Sequence, residues 1–280
     1  MIIPLVAATL SAITLILEKF ELSYQKVNYK TFNVFIFASL FVITALFFPK
    51  YGWIKPEATQ TYFIVIGILM VATATAWNIL LSQALQKEQV IEFELIQMLE
   101  PVLVIFLASV FFTSERSMYI LPAAVVGATA LIVAHAKRHH IYFNKYAKYL
   151  LLAIVLMAIE AILNKIMLEV MSPVALYMVR TFFVFVAMWA FLRPSFETVK
   201  LKSGLAMFGT AGLAVAQMVL YYTAIGQEGL VFTTLIFILS PVLVYIFSMI
   251  IYKEKLKLRT AISFAIIIAC IIFASVMERR

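Results

Sequence analysis

Three ionisable residues sit where water should be absent. Glu100, Glu160 and Arg180 each fall inside a long apolar stretch, the two acids near the middle of theirs and Arg180 about two turns into its own. At bilayer depth such a side chain costs roughly 2.5–3.5 kcal/mol on insertion scales, so each needs a partner, a wet cavity or a function. Glu160 and Arg180 lie at comparable distances from the loop between their stretches and can meet as an ion pair facing a bundle interior. Two readings follow. The pair is structural, or the carboxylate carries a proton one way while a solute moves the other. Arg180 on its own can clamp a carboxylate or phosphate through bidentate hydrogen bonds.

Glu100 precedes Pro101. The proline removes a backbone donor and frees a carbonyl one turn earlier, so the helix is expected to break or bend beside the acid, and Pro241 repeats the device in the second half. Broken helices at mid-depth often line transport sites; the alternative is that Glu100 bonds neighbouring backbone and steadies the bend. Glu94 and Gln97 share a face with Pro101, whereas Glu92 is about 200° from Glu94 and reads as a headgroup-level residue. Trp77 and Asn78 in one stretch, and Gln217, Tyr221 and Tyr222 in another, place hydrogen-bonding groups among apolar neighbours. They either line opposite walls of one cavity or serve as glue between helices. Trp53, Trp189 and many tyrosines near stretch ends read as interfacial anchors.

Those residues need elements to hold them. The chain has 280 residues, 65% hydrophobic and only 13% charged, against about 45–50% apolar content in an ordinary soluble domain. Lipid is therefore the expected solvent. Apolar runs lie near residues 2–17, 31–48, 60–82, 90–112 and 118–136, then near 149–168, 173–192, 203–225, 229–252 and 260–277. They are too long for membrane strands and lack strand alternation, so they read as ten transmembrane helices. The first run has no basic n-region or small-residue cleavage site and reads as a span rather than a removed leader.

Sliding the chain by 140 residues lays Ala84, Glu88, Leu95, Ile96, Leu99, Pro101, Val102, Leu103 and Val104 on identical residues, nine in 21 positions. Glu115 and Glu254 follow the two prolines at 14 and 13 residues. The halves, 2–136 and 149–277 around a basic loop at 137–148, are an internal repeat. Each half has an odd number of spans, so the second copy enters from the opposite side. The expected fold is all-α and integral to the membrane, with ten transmembrane helices in two inverted-topology five-helix repeats.

Ala84-Leu85, Glu100-Pro101 and Glu115, with their echoes Ala224, Pro241 and Glu254, resemble the EamA-type family of the drug/metabolite transporter superfamily. The resemblance covers nearly the whole chain. It implies a ten-helix basket around a central cavity, alternating access, and export of metabolites or amphipathic compounds. Ser240 stands where the pattern would repeat the glutamate of Glu100, and the last run lacks the glycine that Gly127 supplies to the fifth.

Sidedness is in conflict. Of the 22 Lys and Arg residues, 15 fall on the face of the loops after odd-numbered runs and six on the other, with Arg180 inside a run. The positive-inside rule then makes the crowded face cytoplasmic and puts both termini outside, while the resemblance implies both inside.

The net charge of +8 sits in short loops, where anionic headgroups rather than nucleic acid are the expected partner. No cofactor or metal is expected: Cys270 is the lone cysteine, and His135, His139 and His140 lie at or in a basic loop without companion ligands. No glycine-rich phosphate loop ending in Lys-Ser/Thr is present, and no Asp occurs anywhere, which argues against an ATP-driven pump and against an intramembrane enzyme. The function expected is a secondary exporter of amino-acid-like or amphipathic small metabolites in the cell membrane, with protons a candidate coupling ion and a monomer compatible with the repeat. The alternatives are an antiporter of nucleotide sugars or phosphorylated sugars, which wants interior cations beyond Arg180 and Lys165, and a non-transporting scaffold or lipid-handling protein.

Overall fold

Within lipid a backbone must satisfy its own hydrogen bonds, and uninterrupted apolar runs do so as helices. The computed structural model describes residues 2–25, 27–87, 97, 99–135, 145–195, 201–252 and 258–278. Their helices are α1 (Ile2–Lys19), α2 (Tyr29–Tyr51), α3 (Thr61–Lys87), α4 (Leu99–Phe111), α5 (Ile120–His135), α6 (Lys145–Met167), α7 (Pro173–Leu192), α8 (Leu201–Glu228), α9 (Leu230–Phe237), α10 (Leu239–Tyr252) and α11 (Leu258–Glu278). A π-helical turn, Phe20–Tyr24, prolongs α1. No strand occurs among the described residues; one isolated bridge joins Ile54 to Met171.

Among the described residues, six segments are long and apolar enough to cross a membrane: Ile2–Leu22, Tyr29–Tyr51, Thr61–Gln86, Lys148–Met167, Pro173–Leu192 and Leu201–Glu228. Leu99–Phe111, Leu230–Val244 and Ala265–Ala274 are shorter apolar helices. Large side chains such as Ile2 (78% exposed) and Leu46 (74%) cover the outer surface. A face of that kind is stable against lipid and not against water.

Local chemistry sets several boundaries. Ser172 accepts the Ala175 N–H at 3.2 Å and Pro173 opens α7, where its missing N–H costs nothing. Asn28 caps α2 by accepting from Lys30 N at 2.9 Å. Of the basic loop expected at 137–148, residues 137–144 lie outside the described residues; α6 is described from Lys145, whose ammonium lies 5.4 Å from the Tyr149 ring centre one turn on. The run expected as one span at 229–252 is divided into α9 and α10, because the chain turns at Ile238 ahead of Pro241. Hydroxyls inside the spans mostly fold back on their own helix: Ser39, Thr44, Thr75, Ser109, Thr129, Thr181 and Thr223 each donate to the carbonyl four residues earlier.

The main packing joins helices from different halves. α3 lies on α6, α1 on α8, α2 on α7 and α5 on α11, while α4 packs on α6 and α1 on α10. At one end the α2–α3 and α6–α7 connections are stitched by backbone bonds, Lys55 N to Val170 O at 2.9 Å and Ser172 N to Trp53 O at 3.0 Å. At the other, Thr31 of α2 donates to Ser195 O at 2.9 Å.

Candidate functional site

α6 and α7 project Glu160 and Arg180 to the same point, and each is only 3% exposed. Arg180 donates Nε to Glu160 Oε1 and Nη2 to Oε2, the latter at 3.2 Å. Trp77 on α3 adds its indole N–H to Oε2 of the same carboxylate. The guanidinium lies 5.9 Å from the Phe37 ring centre and 5.8 Å from that of Trp77, so two aromatic faces flank the cation. A buried carboxylate is tolerated when it is paired and its remaining lone pairs are used, and this cluster does both.

The cluster borders a cavity of about 250 Å³ between the halves. Of the residues singled out from sequence, Glu100, Glu160, Arg180, Gln97, Trp77, Asn78, Gln217, Tyr221, Pro101 and Pro241 all line it. Trp77 and Gln217, a repeat apart, thus face one space. Tyr222 does not line it: the residue is 0% exposed, packed edge-on to Tyr177 with ring centres 6.0 Å apart. Glu94 and Glu92 lie outside the described residues. Asn78 spends its amide on Ala74 O at 2.8 Å and Tyr221 packs on Phe237 at 4.6 Å, so both are held by their neighbours as well as facing the cavity.

Other lining residues escaped the sequence reading. Glu18 is the main one, with Ser11 and Thr14 on the same wall, and Tyr177, Asn164 and Thr234 opposite or beside it. The first apolar run, taken to stop at residue 17, left Glu18 as a terminal residue. Helix and π-turn instead carry the chain on to Tyr24. Positions 11, 14 and 18 recur at three and four residues, which is the helical-face signal that would have found it.

A second ion pair closes one end. Glu115, in the turn after α4, accepts the backbone N–H groups of Leu230 at 3.0 Å and Val231 at 2.9 Å, capping α9 from outside its own segment. The same carboxylate pairs with Lys165 of α6, whose ammonium sits 4.2 Å from the Phe112 ring centre. Gly229 precedes α9 with φ +87°, and a Cβ there would approach Glu115 Oε1 to 2.8 Å. The glycine is required twice, by the backbone angle and by the carboxylate.

Residues 144–276 match the EamA-like transporter family. The second half of this chain is an EamA-like transporter domain. That match and the membrane-length apolar segments make the chain a multi-pass membrane protein. No curated protein matches it. Among solved structures, the crystal structure of a protein described no further is similar to this chain with a TM-score of 0.73 at 17% identity, covering 100% of this chain and 97% of the other. That likeness concerns the fold alone, and it runs through the first half as well as the EamA-like second.

Proposed function

We propose that this EamA-like protein is a secondary transporter that exports small amphipathic or amino-acid-like metabolites across the cell membrane by alternating access. In this reading ten spans form two inverted repeats, 2–136 and 149–277, joined by the basic stretch 137–148, and one chain suffices. Reciprocal packing supports it: α3 lies on α6 as α8 lies on α1, α4 on α6 as α10 on α1, and the equivalents α2 and α7 pair with each other, as do α5 and α11. An in-plane pseudo-twofold produces that exchange of partners.

The observation that carries the function is the cavity itself, whose polar lining comes from both halves, with Trp77 and Glu100 facing Glu160, Arg180 and Gln217. Rocking one repeat against the other about such a site opens it to one side and then the other. A cavity carboxylate exchanges a proton for the substrate. The phosphorylated-sugar alternative is less well supported, since Arg180 is engaged by Glu160 and Lys165 by Glu115.

Counterflow in proteoliposomes with labelled amino acids and hydrophobic cations tests the proposal. The intact protein is compared with Glu160→Gln and Arg180→Lys, each confirmed folded by its size-exclusion profile, at varied internal pH. Uptake by the intact protein, loss in both variants and dependence on a pH gradient are expected. Uptake of nothing in the panel, or uptake unchanged in both folded variants, overturns the proposal.

A further inference from the structure

Acidic groups outnumber basic ones in the cavity. Among the described residues three carboxyl groups line it, Glu18, Glu100 and Glu160, against one guanidinium, Arg180. Arg180 and Glu160 neutralise each other through two hydrogen bonds, and Trp77 takes up a further lone pair. Neither Glu18 nor Glu100 makes an ion pair among the described residues. An incoming anion would find only the three guanidinium N–H groups that Glu160 leaves free, on a cation whose charge that carboxylate already offsets.

We infer that the cavity binds an organic cation, a protonated amine on a compact apolar body without a free carboxylate, with Glu100 and Glu18 as its counter-charges. The walls suit such a body. Phe37, Trp77, Tyr221 and Phe237 present ring surfaces that attract both apolar groups and cations. An independent observation points to the ammonium: Asn164 Oδ1, on a residue 4% exposed that lines the cavity, has no hydrogen-bond partner. That oxygen is an acceptor only, and a ligand ammonium would satisfy it. The Thr14 hydroxyl, also buried on this lining, is likewise unpartnered. A volume of about 250 Å³ accommodates a single-ring amine.

This specificity rests on the proposed transport site, but its test reads binding and not transport. Calorimetric titration of the full detergent-purified chain with phenethylamine, phenylalanine and 3-phenylpropionate keeps the ring and chain while the charge passes from cation to zwitterion to anion. Phenethylamine should bind at least about tenfold more tightly than phenylalanine, a difference of about 1.4 kcal/mol, with phenylpropionate weakest. Glu100→Gln and Glu18→Gln, each close to isosteric, should each weaken phenethylamine and flatten the series. Phenylalanine binding as tightly as phenethylamine overturns the inference, as does an affinity unchanged in both variants or no binding by any of the three. Amine binding without counterflow would retain the cation site and remove the transport reading; counterflow with no preference among the three charges would do the reverse.

Discussion

α6 carries half of two ion pairs five residues apart, and the pairs do different work. Glu160 meets Arg180 with both side chains 4% exposed, flanked by aromatic rings and by the Trp77 donor. Lys165 meets Glu115 with side chains 19% and 12% exposed, and the Glu115 oxygens are shared with two backbone N–H groups of α9. In the first, each charge neutralises the other. In the second, the carboxylate chiefly ends a helix, and the lysine is an addition. Burial makes the first pair indispensable once either member is present, while the two backbone bonds that Glu115 keeps let the second lose its cation at lower cost.

Arg180→Ala should give the largest effect. It strands Glu160 in the interior and should cost about 3–5 kcal/mol, read as a lowered midpoint of thermal unfolding in detergent. Adding Glu160→Leu to an Arg180→Met background should recover most of that loss, since an apolar pair of similar volume has no charge to strand. A single-variant loss below about 1 kcal/mol would mean that water reaches the pair, and the contrast with Glu115 would collapse. Gly229→Ala comes next, at about 1–3 kcal/mol, because a side chain at φ +87° is strained and its Cβ runs into Glu115. Third, Glu115→Ala should cost about 1–2 kcal/mol by uncapping α9, against no more than about 1 kcal/mol for Lys165→Met. Equal losses for those two would show that the salt bridge, and not the cap, secures this end.

Much of the helical layout was legible because hydropathy reports what lipid demands. The runs at 31–48, 173–192 and 203–225 fall within α2, α7 and α8. Hydropathy does not register backbone bonding, so the division at Ile238 inside the uniformly apolar stretch 229–252 escaped it, although Pro241 marked the place. Glu160 and Arg180 were found because ionisable residues at depth are conspicuous, and their shared distance from one loop foretold their meeting. Trp77 was noticed as polar but not as their partner: it lies 83 residues away, and no local pattern encodes a contact of that range. Glu18 was lost to a boundary drawn one residue too early. Glu115 was visible only as a repeat marker, because a cap supplied by a distant turn leaves no spacing signal in the helix it caps.

The hydroxyls that bond back along their own helices bear on how the chain enters its membrane. A span such as α2, with Ser39 and Thr44 already satisfied by Phe35 and Leu40 carbonyls, can pass into lipid without waiting for a neighbour to arrive. Those two hydroxyls are satisfied as the span itself forms. The late demand for partners then concentrates on the few groups that self-pairing cannot serve, Glu160 and Arg180 foremost. A defect at either should appear first as spans that insert but fail to associate, detectable by protease protection intact in membranes while detergent extraction releases aggregated protein.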